Sequence, residues 1–549
     1  MSAEHVEARL GAYADSVTLM RVSADVRQAD GVQAALIAMA TELNLDLLAA
    51  MGFPPPDAGP NHLLIAVRAA DDTALAGALA AVDTALCARP GAGHGAHGAA
   101  SQGTANHGAD QAQLPRTTAA AVRAGGPGLA LISVPGRYAF AEAMDALQAD
   151  CDVMIFSDNV PVEQEIMLKD FAAERDLIVM GPDCGTAMVR GVGLGFSHTL
   201  AAGPVGIVAA SGTGAQQVMC LLDYAGAGVS AALGVGGRDL SAAVGGRSAR
   251  AALAALDADP GTELIIVVSK PPAAEVAAGL RDFAAHLATP VQFALIGPGE
   301  PDLTAATESA LRTLGLAVPD WPRWPGQAPG AEPGNFRAAH ESSPGAGVLR
   351  GLFAGGTLCD EAMVIASDRL GPIRSNIPLR PELRLAPRGP VFGTTVLGTT
   401  VLGTTAPGVT VPAATLPAAT VPGATGTGHA MIDFGDDELT MGRAHPMIDQ
   451  SLRLERLAAE AADPAVTVVL LDVVLGHGAH PDPAAELAPV IAAARASGRV
   501  SVVVSLIGAT SDPQDLGRQA AALQAAGAAV FASNAAAARF ACGLIEGAR

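Results

Sequence analysis

The stretch Gly206-Ile207-Val208-Ala209-Ala210-Ser211-Gly212-Thr213-Gly214-Ala215 decides the fold class. An apolar run gives way to small residues and then to an Ala-rich helical stretch. Such a run reads as a buried parallel strand, since a strand covered on both faces needs no polar alternation. A strand turning through glycines into a helix leaves backbone N–H groups aimed at one spot, which favours an anion, usually phosphate. Near the other end, Val468-Val469-Leu470-Leu471-Asp472-Val473-Val474-Leu475-Gly476-His477-Gly478 repeats the pattern. A single turn of this kind is common in α/β proteins. Two in corresponding half-domains predict a phosphate held between two helix ends. The phosphate-binding set is then Ser211, Gly212, Thr213 and Gly214 with Gly476 and Gly478.

Working outward, strands read at 129–134, 153–157, 177–180, 205–210, 229–235, 264–268 and 291–296, with helical stretches between most of them. Strict alternation predicts doubly wound parallel sheets. The expected class is multidomain α/β. A Rossmann-like domain covers 127–200, and two flavodoxin-like domains cover 201–318 and 346–549. A small α+β domain covers 1–88, with strands expected at 16–22, 32–39 and 63–67 and a helix to about residue 86. Residues 89–126 read as a flexible linker and 319–345 as a second joint. His94, His97 and His107 in the first linker suit a metal tract or, by composition, a solvated linker. Residues 390–428 repeat Gly-Thr-Thr and then Ala/Thr/Val/Pro, with no helix or strand face, and read as a disordered insertion.

Composition narrows the function classes. The 549 residues are 50% hydrophobic but only 3% aromatic, so several cores are expected, packed with Ala, Val and Leu. A formal charge of −21 argues against nucleic acid and against an anionic membrane. Only Lys169 and Lys270 are lysines; the other basic residues are arginines. The start, Met1-Ser2-Ala3-Glu4-His5, has early acid and no apolar h-region, and no run is long enough for a membrane span. The six cysteines are far apart with no CxxC, which predicts free thiols in a reducing cytoplasm.

Read in order, the motifs resemble a known family. Residues 153–186, ending in Gly181-Pro182-Asp183-Cys184-Gly185, resemble the α-subunit of succinate–CoA ligase. So do the Ser211-Gly212-Thr213 turn and Gly234-Val235-Gly236-Gly237-Arg238-Asp239. Asp433-Phe434-Gly435 and Leu475-Gly476-His477-Gly478 resemble the C-terminal domain of the β-subunit. The order, with an extra N-terminal domain and no ATP-grasp module, resembles the FdrA family. Phe156-Ser157-Asp158-Asn159-Val160-Pro161, Gly355-Gly356-Thr357-Leu358-Cys359-Asp360-Glu361-Ala362 and Ser375-Asn376-Ile377-Pro378-Leu379 match that family closely. The resemblance covers 127–318 and 346–549, apart from the insertion. It implies that 127–200 is a CoA-binding-type domain and that the two later domains are of the ligase type.

The chain departs from the ligases at two places. The resemblance implies a phosphorylated histidine after the strand at 291–296, but Gly297-Pro298-Gly299-Glu300-Pro301 follows instead. It implies a glutamate holding that histidine on the strand at 264–268, where Lys270 now stands. A phosphate or acyl-phosphate site without a phosphohistidine step is expected. Some FdrA-like proteins are a component of oxamate carbamoyltransferase, so the resemblance implies carbamoyl phosphate with oxamate or oxalurate as substrates, and other subunits as partners. An acyl-CoA ligase and a non-catalytic CoA or metabolite scaffold are the other options, with CoA a possible cofactor and no metal expected.

Candidate residues follow from chemistry and position. Lys270, at the carboxyl edge of a sheet, is the expected catalytic cation, or else a surface salt-bridging lysine. His477 is a candidate acid/base or phosphate donor, or a structural loop histidine. Asn159 and Asp183 are candidate substrate contacts at strand ends, and Arg238 a carboxylate clamp. Cys184 is a nucleophile at a helix start or a small packing residue. Ser211 and Thr213 also suit helix capping. Asp472, inside an apolar run, is expected to bond a neighbouring loop.

Overall fold

The computed structural model describes residues 3–10, 16–27, 29–59, 62–87, 115, 117–126, 128–324, 347–385, 428–440 and 444–547. They form two compact units, one within 1–128 and one within 129–392 and 419–549. The expectations for 390–427 and for the histidines of the first linker fall outside the described residues.

The first unit holds β1 (Ala3–Leu10), α1 (Ser16–Arg27), β2 (Val32–Met39), α2 (Glu42–Ala50), β3 (His62–Ala69), α3 (Asp72–Cys87) and α4 (Thr118–Gly125). Its sheet is antiparallel, in the order β1-β3-β2. Residues 16–22, expected as a strand, lie in α1. Leu19, Val22 and Val26 recur at helical spacing and are buried against the sheet, and that periodicity outweighs the β-branched content. α4 lies in the stretch read as linker, with Thr117 Oγ1 accepting the Ala120 N–H at 3.1 Å.

The second unit carries three sheets. β4 (Leu129–Ile132), α5 (Gly136–Leu147), β5 (Asp152–Ile155), α6 (Val162–Ala173) and β6 (Val179–Met180) form a parallel sheet of three strands in sequence order. The hairpin of β7 (Thr186–Val189) and β8 (Val192–Gly195) joins the next sheet along β10. That sheet is built from β9 (Ala202–Ala210), α7 (Gly212–Tyr224), β10 (Val229–Gly234), α8 (Arg247–Asp257), β11 (Leu264–Ser269), α9 (Ala274–Ala284), β12 (Val291–Leu295) and α10 (Leu303–Thr313). The order β12-β11-β9-β10-β7-β8 places β10 and β11 on opposite sides of β9.

The third sheet repeats the plan. Its elements are β13 (Arg323–Trp324), β14 (Val348–Phe353), α11 (Gly356–Leu370), β15 (Arg374–Ser375), β16 (Ala430–Asp433), α12 (Asp437–Thr440), α13 (Ser451–Ala462), β17 (Val466–Val474), α14 (Pro483–Ala496), β18 (Ser501–Ile507), α15 (Leu516–Ala525), β19 (Ala529–Phe531) and α16 (Asn534–Gly547). The order β13-β19-β18-β17-β14-β16-β15 puts β16 and β17 on opposite sides of β14. Both sheets therefore have the flavodoxin-like strand order, whose switch points lie at the carboxyl ends of β9 and β14, where open α/β sheets bind ligands. The protein is a multidomain α/β protein, as the alternation of apolar strands and Ala-rich helices predicts. Buried Val and Leu from β14, β17 and β18, with Ile and Ala from β16 and the covering helices, fill one core, and a second core joins β5 and β6 to β9 and β11.

Candidate active site at the meeting of two helix N-termini

Each switch point ends in a helix N-terminus, and the two meet. On α7 the Ser211 Oγ accepts the Gly214 N–H at 2.9 Å and donates to Thr357 Oγ1 of α11 at 2.6 Å. On α11 the N-cap is Gly355, with no side-chain cap. A Cβ on Gly355 would lie 2.7 Å from Thr213, and one on Gly214 would lie 3.0 Å from Thr357 Cγ2. The threonine of each helix thus rests on a glycine of the other, and larger residues would hold the ends apart. The first amides of both helices, at Gly212 and Thr213 and at Gly356 and Thr357, have no intrahelical acceptor. Two partial positive charges face one another.

Asp472 fixes this arrangement from beneath. Its buried carboxylate accepts the N–H groups of Ala354 (2.7 Å) and Gly355 (2.9 Å), and Arg453 Nη1 pairs with it at 3.2 Å. The acid inside the apolar run therefore bonds a neighbouring loop, the one that opens α11.

Lys270 follows the last residue of β11. Its Nζ stands 3.1 Å from the point a Cβ on Gly356 would occupy, and Asp433 Oδ2 stands 2.8 Å from the same point. Lys270 makes no direct ion pair among the described residues. Burial works against its charge, yet Asp433, Asp360, Asp183 and Asp436 together hold the ammonium above its usual range. Burial pushes the carboxyls of Asp360 and Asp433 up to about 7 despite the pull of Lys270. Near neutral pH these two groups are poised between acid and base.

A cavity at the start of α7 is lined by Asp183, Cys184, Thr186, Ser211, Gly212 and Gly237, among others. The structure thus brings Asp183, Cys184, Ser211 and Gly212 together. Asp183 and Asn159 are exposed, each with positive φ (58° and 53°). Cys184 is buried, its Sγ lies 3.6 Å from the Thr186 carbonyl, and burial lifts its thiol to about 12. Its burial and raised pKa favour the packing role over the nucleophilic one. Arg238 is engaged by the Val160 carbonyl at 2.7 Å and by Glu165 at 2.9 Å, so its fork is already occupied on one side. Glu165 also pairs with Lys169 (2.7 Å), which reaches Asp239 (2.8 Å).

The expected partner turn is corrected. Gly476 and Gly478 do not open a helix: α14 starts at Pro483 behind the N-cap Asp482. The Gly476 N–H is held by Gln514 Oε1 at 3.0 Å, and the Ala484 N–H by Gln519 Oε1 at 2.8 Å. Gly478 packs on Phe196. His477 belongs to a seam, its N–H on the Ser197 carbonyl (2.7 Å) and its Nε2 by Thr199 Oγ1 (3.0 Å). The helix that meets α7 is α11. Its signal was present, since Gly356-Thr357 after β14 repeats Gly212-Thr213 after β9.

The site and the fold define a CoA-ligase-type α/β protein. A CoA-ligase family model matches residues 352–544, and a model described as "AllF, heavy metal-associated domain" matches 1–102. The protein YahF of Escherichia coli (strain K12) is 34% identical over 95% of both chains. The chain belongs to that protein's family, an FdrA/AllF-type group related to succinate–CoA ligases. The succinate–CoA ligase α-subunit of Aquifex aeolicus is 29% identical over 28% of this chain and 51% of its own length. The acetyl-coenzyme A synthetase 1 of Ca. Korarchaeum cryptofilum, solved with phosphate and ADP, is 16% identical over 77% of this chain and 82% of its own, with a TM-score of 0.25, too loose a likeness to bear on function.

The name of the N-terminal family invites a metal, but the residues do not suit a soft one. Residues 1–102 contain a single cysteine, Cys87, and the described residues hold no cluster of metal-ligating side chains. No helix among the described residues is long and apolar enough to cross a membrane.

Proposed function

We propose that the junction of α7 and α11 is the reaction centre of an acyl-CoA-ligase-type enzyme, where a phosphate and an acyl group meet. The observation that carries this reading is the pair of open helix N-termini with the Lys270 ammonium beside Gly356. The amides of Gly212, Thr213, Gly356 and Thr357 would hold the phosphate, and Lys270 would neutralise it. Ser211 and Thr357 keep the helix ends in register. The reaction class is acyl phosphate plus an acceptor carrying a hydrogen, giving the acylated acceptor and inorganic phosphate. Asp360 or Asp433 takes the acceptor's proton. The kinship with succinate–CoA ligases supports this class.

CoA is the acceptor that the family suggests, but the β4-β5-β6 sheet does not suit its nucleotide. Strands in sequence order give no switch-point crevice. Gly136, at the start of α5, packs against the Asp158 backbone, since a Cβ there would overlap the Asp158 carbonyl.

A carbamoyl group is a second reading. Lys270 and Asp433 offer a donor and an acceptor beside Gly356 without pairing directly. A carbamoyl group presents a carbonyl to the first and an NH2 to the second, which a plain acyl chain does not. Oxamate and carbamoyl phosphate exchanging with oxalurate and phosphate, in a complex with other subunits, fits this reading.

Calorimetric titration with inorganic phosphate tests the centre. Wild type should bind, Lys270→Met should lose at least about tenfold in affinity, and Lys270→Arg should retain part of it. Equal affinity in wild type and Lys270→Met would sink the assignment.

A further inference from the structure

His445 was not singled out by its sequence context, yet it stands beside this centre. Its Nδ1 accepts the Met447 N–H at 3.2 Å. That fixes the neutral tautomer with the proton on Nε2. The ring packs on Phe196, with centroids 5.7 Å apart, and Phe196 in turn packs on Phe156 at 6.0 Å. Nε2 points at the Asp433-Phe434-Gly435 turn: a Cβ on Gly435 would lie 2.8 Å from Nε2 and 3.2 Å from Asp433 Oδ1. The other oxygen of Asp433 flanks Gly356 and Lys270. His445 makes no ion pair among the described residues, and no bond to its Nε2 is formed there. Burial and the nearby Arg453 keep the imidazole neutral, with its pKa lowered to about 4. A neutral imidazole held this way is a hydrogen-bond donor that brings no charge to the site.

Resting on the proposed phosphate centre, we propose that His445 Nε2–H is the donor to the acyl carbonyl oxygen of a bound acyl phosphate. The phosphoryl end occupies the helix N-termini and Lys270, and the carbonyl end turns towards the Gly435 turn. A Cβ on Gly435 would clash first with the Ala354 carbonyl, at 2.5 Å, and would also crowd Nε2 and Asp433. Phe196 backs the ring and sets its plane. The arrangement separates two recognition tasks, charge on the phosphate and a neutral donor on the acyl group. It selects acyl phosphates over phosphate alone.

The test compares two probes on the full chain, inorganic phosphate and acetylphosphonate, a stable mimic of acetyl phosphate. His445→Ala should weaken acetylphosphonate about tenfold, the value of one hydrogen bond of about 1.4 kcal/mol, and leave phosphate unchanged. His445→Gln, which keeps an N–H donor, should recover part of the loss. In nitrogen NMR of histidine-labelled protein, the Nε2–H signal should shift with acetylphosphonate and not with phosphate. Equal loss of both probes in His445→Ala, or an unchanged acetylphosphonate affinity, would overturn the assignment. Failure of wild type to bind phosphate at all would instead remove the centre itself.

Discussion

At the scale of single residues, Asp360 and Asp433 show most plainly what the site demands. Each is buried, and each carboxyl is lifted to about 7 by burial. In the unfolded chain such groups ionise near pH 4. Between about pH 4 and 7 the folded protein therefore holds protons that the unfolded chain releases. The resulting stability is complete below the unfolded pKa and is lost as pH rises through 7. Asp360→Asn removes one buried charge and leaves Asp433 to balance Lys270. Its melting temperature should exceed that of wild type at pH 8 and match it at pH 4. A loss of stability at both pH values would mean that Asp360 is ionised throughout and paired with Lys270. Lys270 itself was legible from sequence, through its rarity and its place after a strand. The aspartates around it were not, because the turn at 433–436 and the helix residue 360 belong to the third sheet and reach Lys270, after β11 of the second, only when the two sheets face each other.

At the scale of elements, glycines decide how closely α7 and α11 approach. A Cβ on Gly214 would meet Ser211 Oγ at 2.5 Å and Val268 Cγ1 at 2.9 Å. Gly214→Ala should therefore destabilise by about 1–3 kcal/mol, the usual penalty of overpacking. Gly212 has only Thr186 Oγ1 at 3.4 Å, an ordinary contact, so Gly212→Ala should be neutral or slightly stabilising. Urea denaturation of the two variants, with m unchanged, distinguishes them; equal losses would mean that the helix crossing is looser than described. The strand-and-helix alternation in the sequence places both helices correctly. It does not choose between α11 and the Gly476 turn, because both follow apolar strands through glycine. The choice is made by Gln514, Asp482 and Gln519, whose side chains occupy the amides near the second turn. Those residues are distant in sequence and carry no motif. The β7–β8 hairpin is hard to read from sequence for a similar reason, as its strands are only four residues each, with β7 buried and β8 mostly exposed.

At the scale of the molecule, the two later sheets lean on each other through polar links between distant segments. Glu361 of α11 accepts the Leu303 N–H at the start of α10 (2.7 Å) and the Asn534 side chain of α16 (2.7 Å). His198, after β8, bonds Asp512, after β18, at 2.7 Å, with both side chains buried. Asp512 also accepts the amides of Thr199 and Ala509. Burial raises the Asp512 pKa, but the bonds to His198 and these amides outweigh it and hold the carboxylate below its usual range. Asp512→Ala would leave those amides and His198 without their acceptor, and should destabilise by about 3 kcal/mol or more. Every link of this kind, and every residue of the proposed centre, lies within 129–549, which forms its own compact unit. A fragment spanning 129–549 should then unfold cooperatively and bind inorganic phosphate as the full chain does. Asp512→Ala in that fragment should lower the urea midpoint as much as it does in the full chain. A fragment that is folded but blind to phosphate would show that the first unit contributes to the site. One that fails to fold would show that the division into units does not hold in solution.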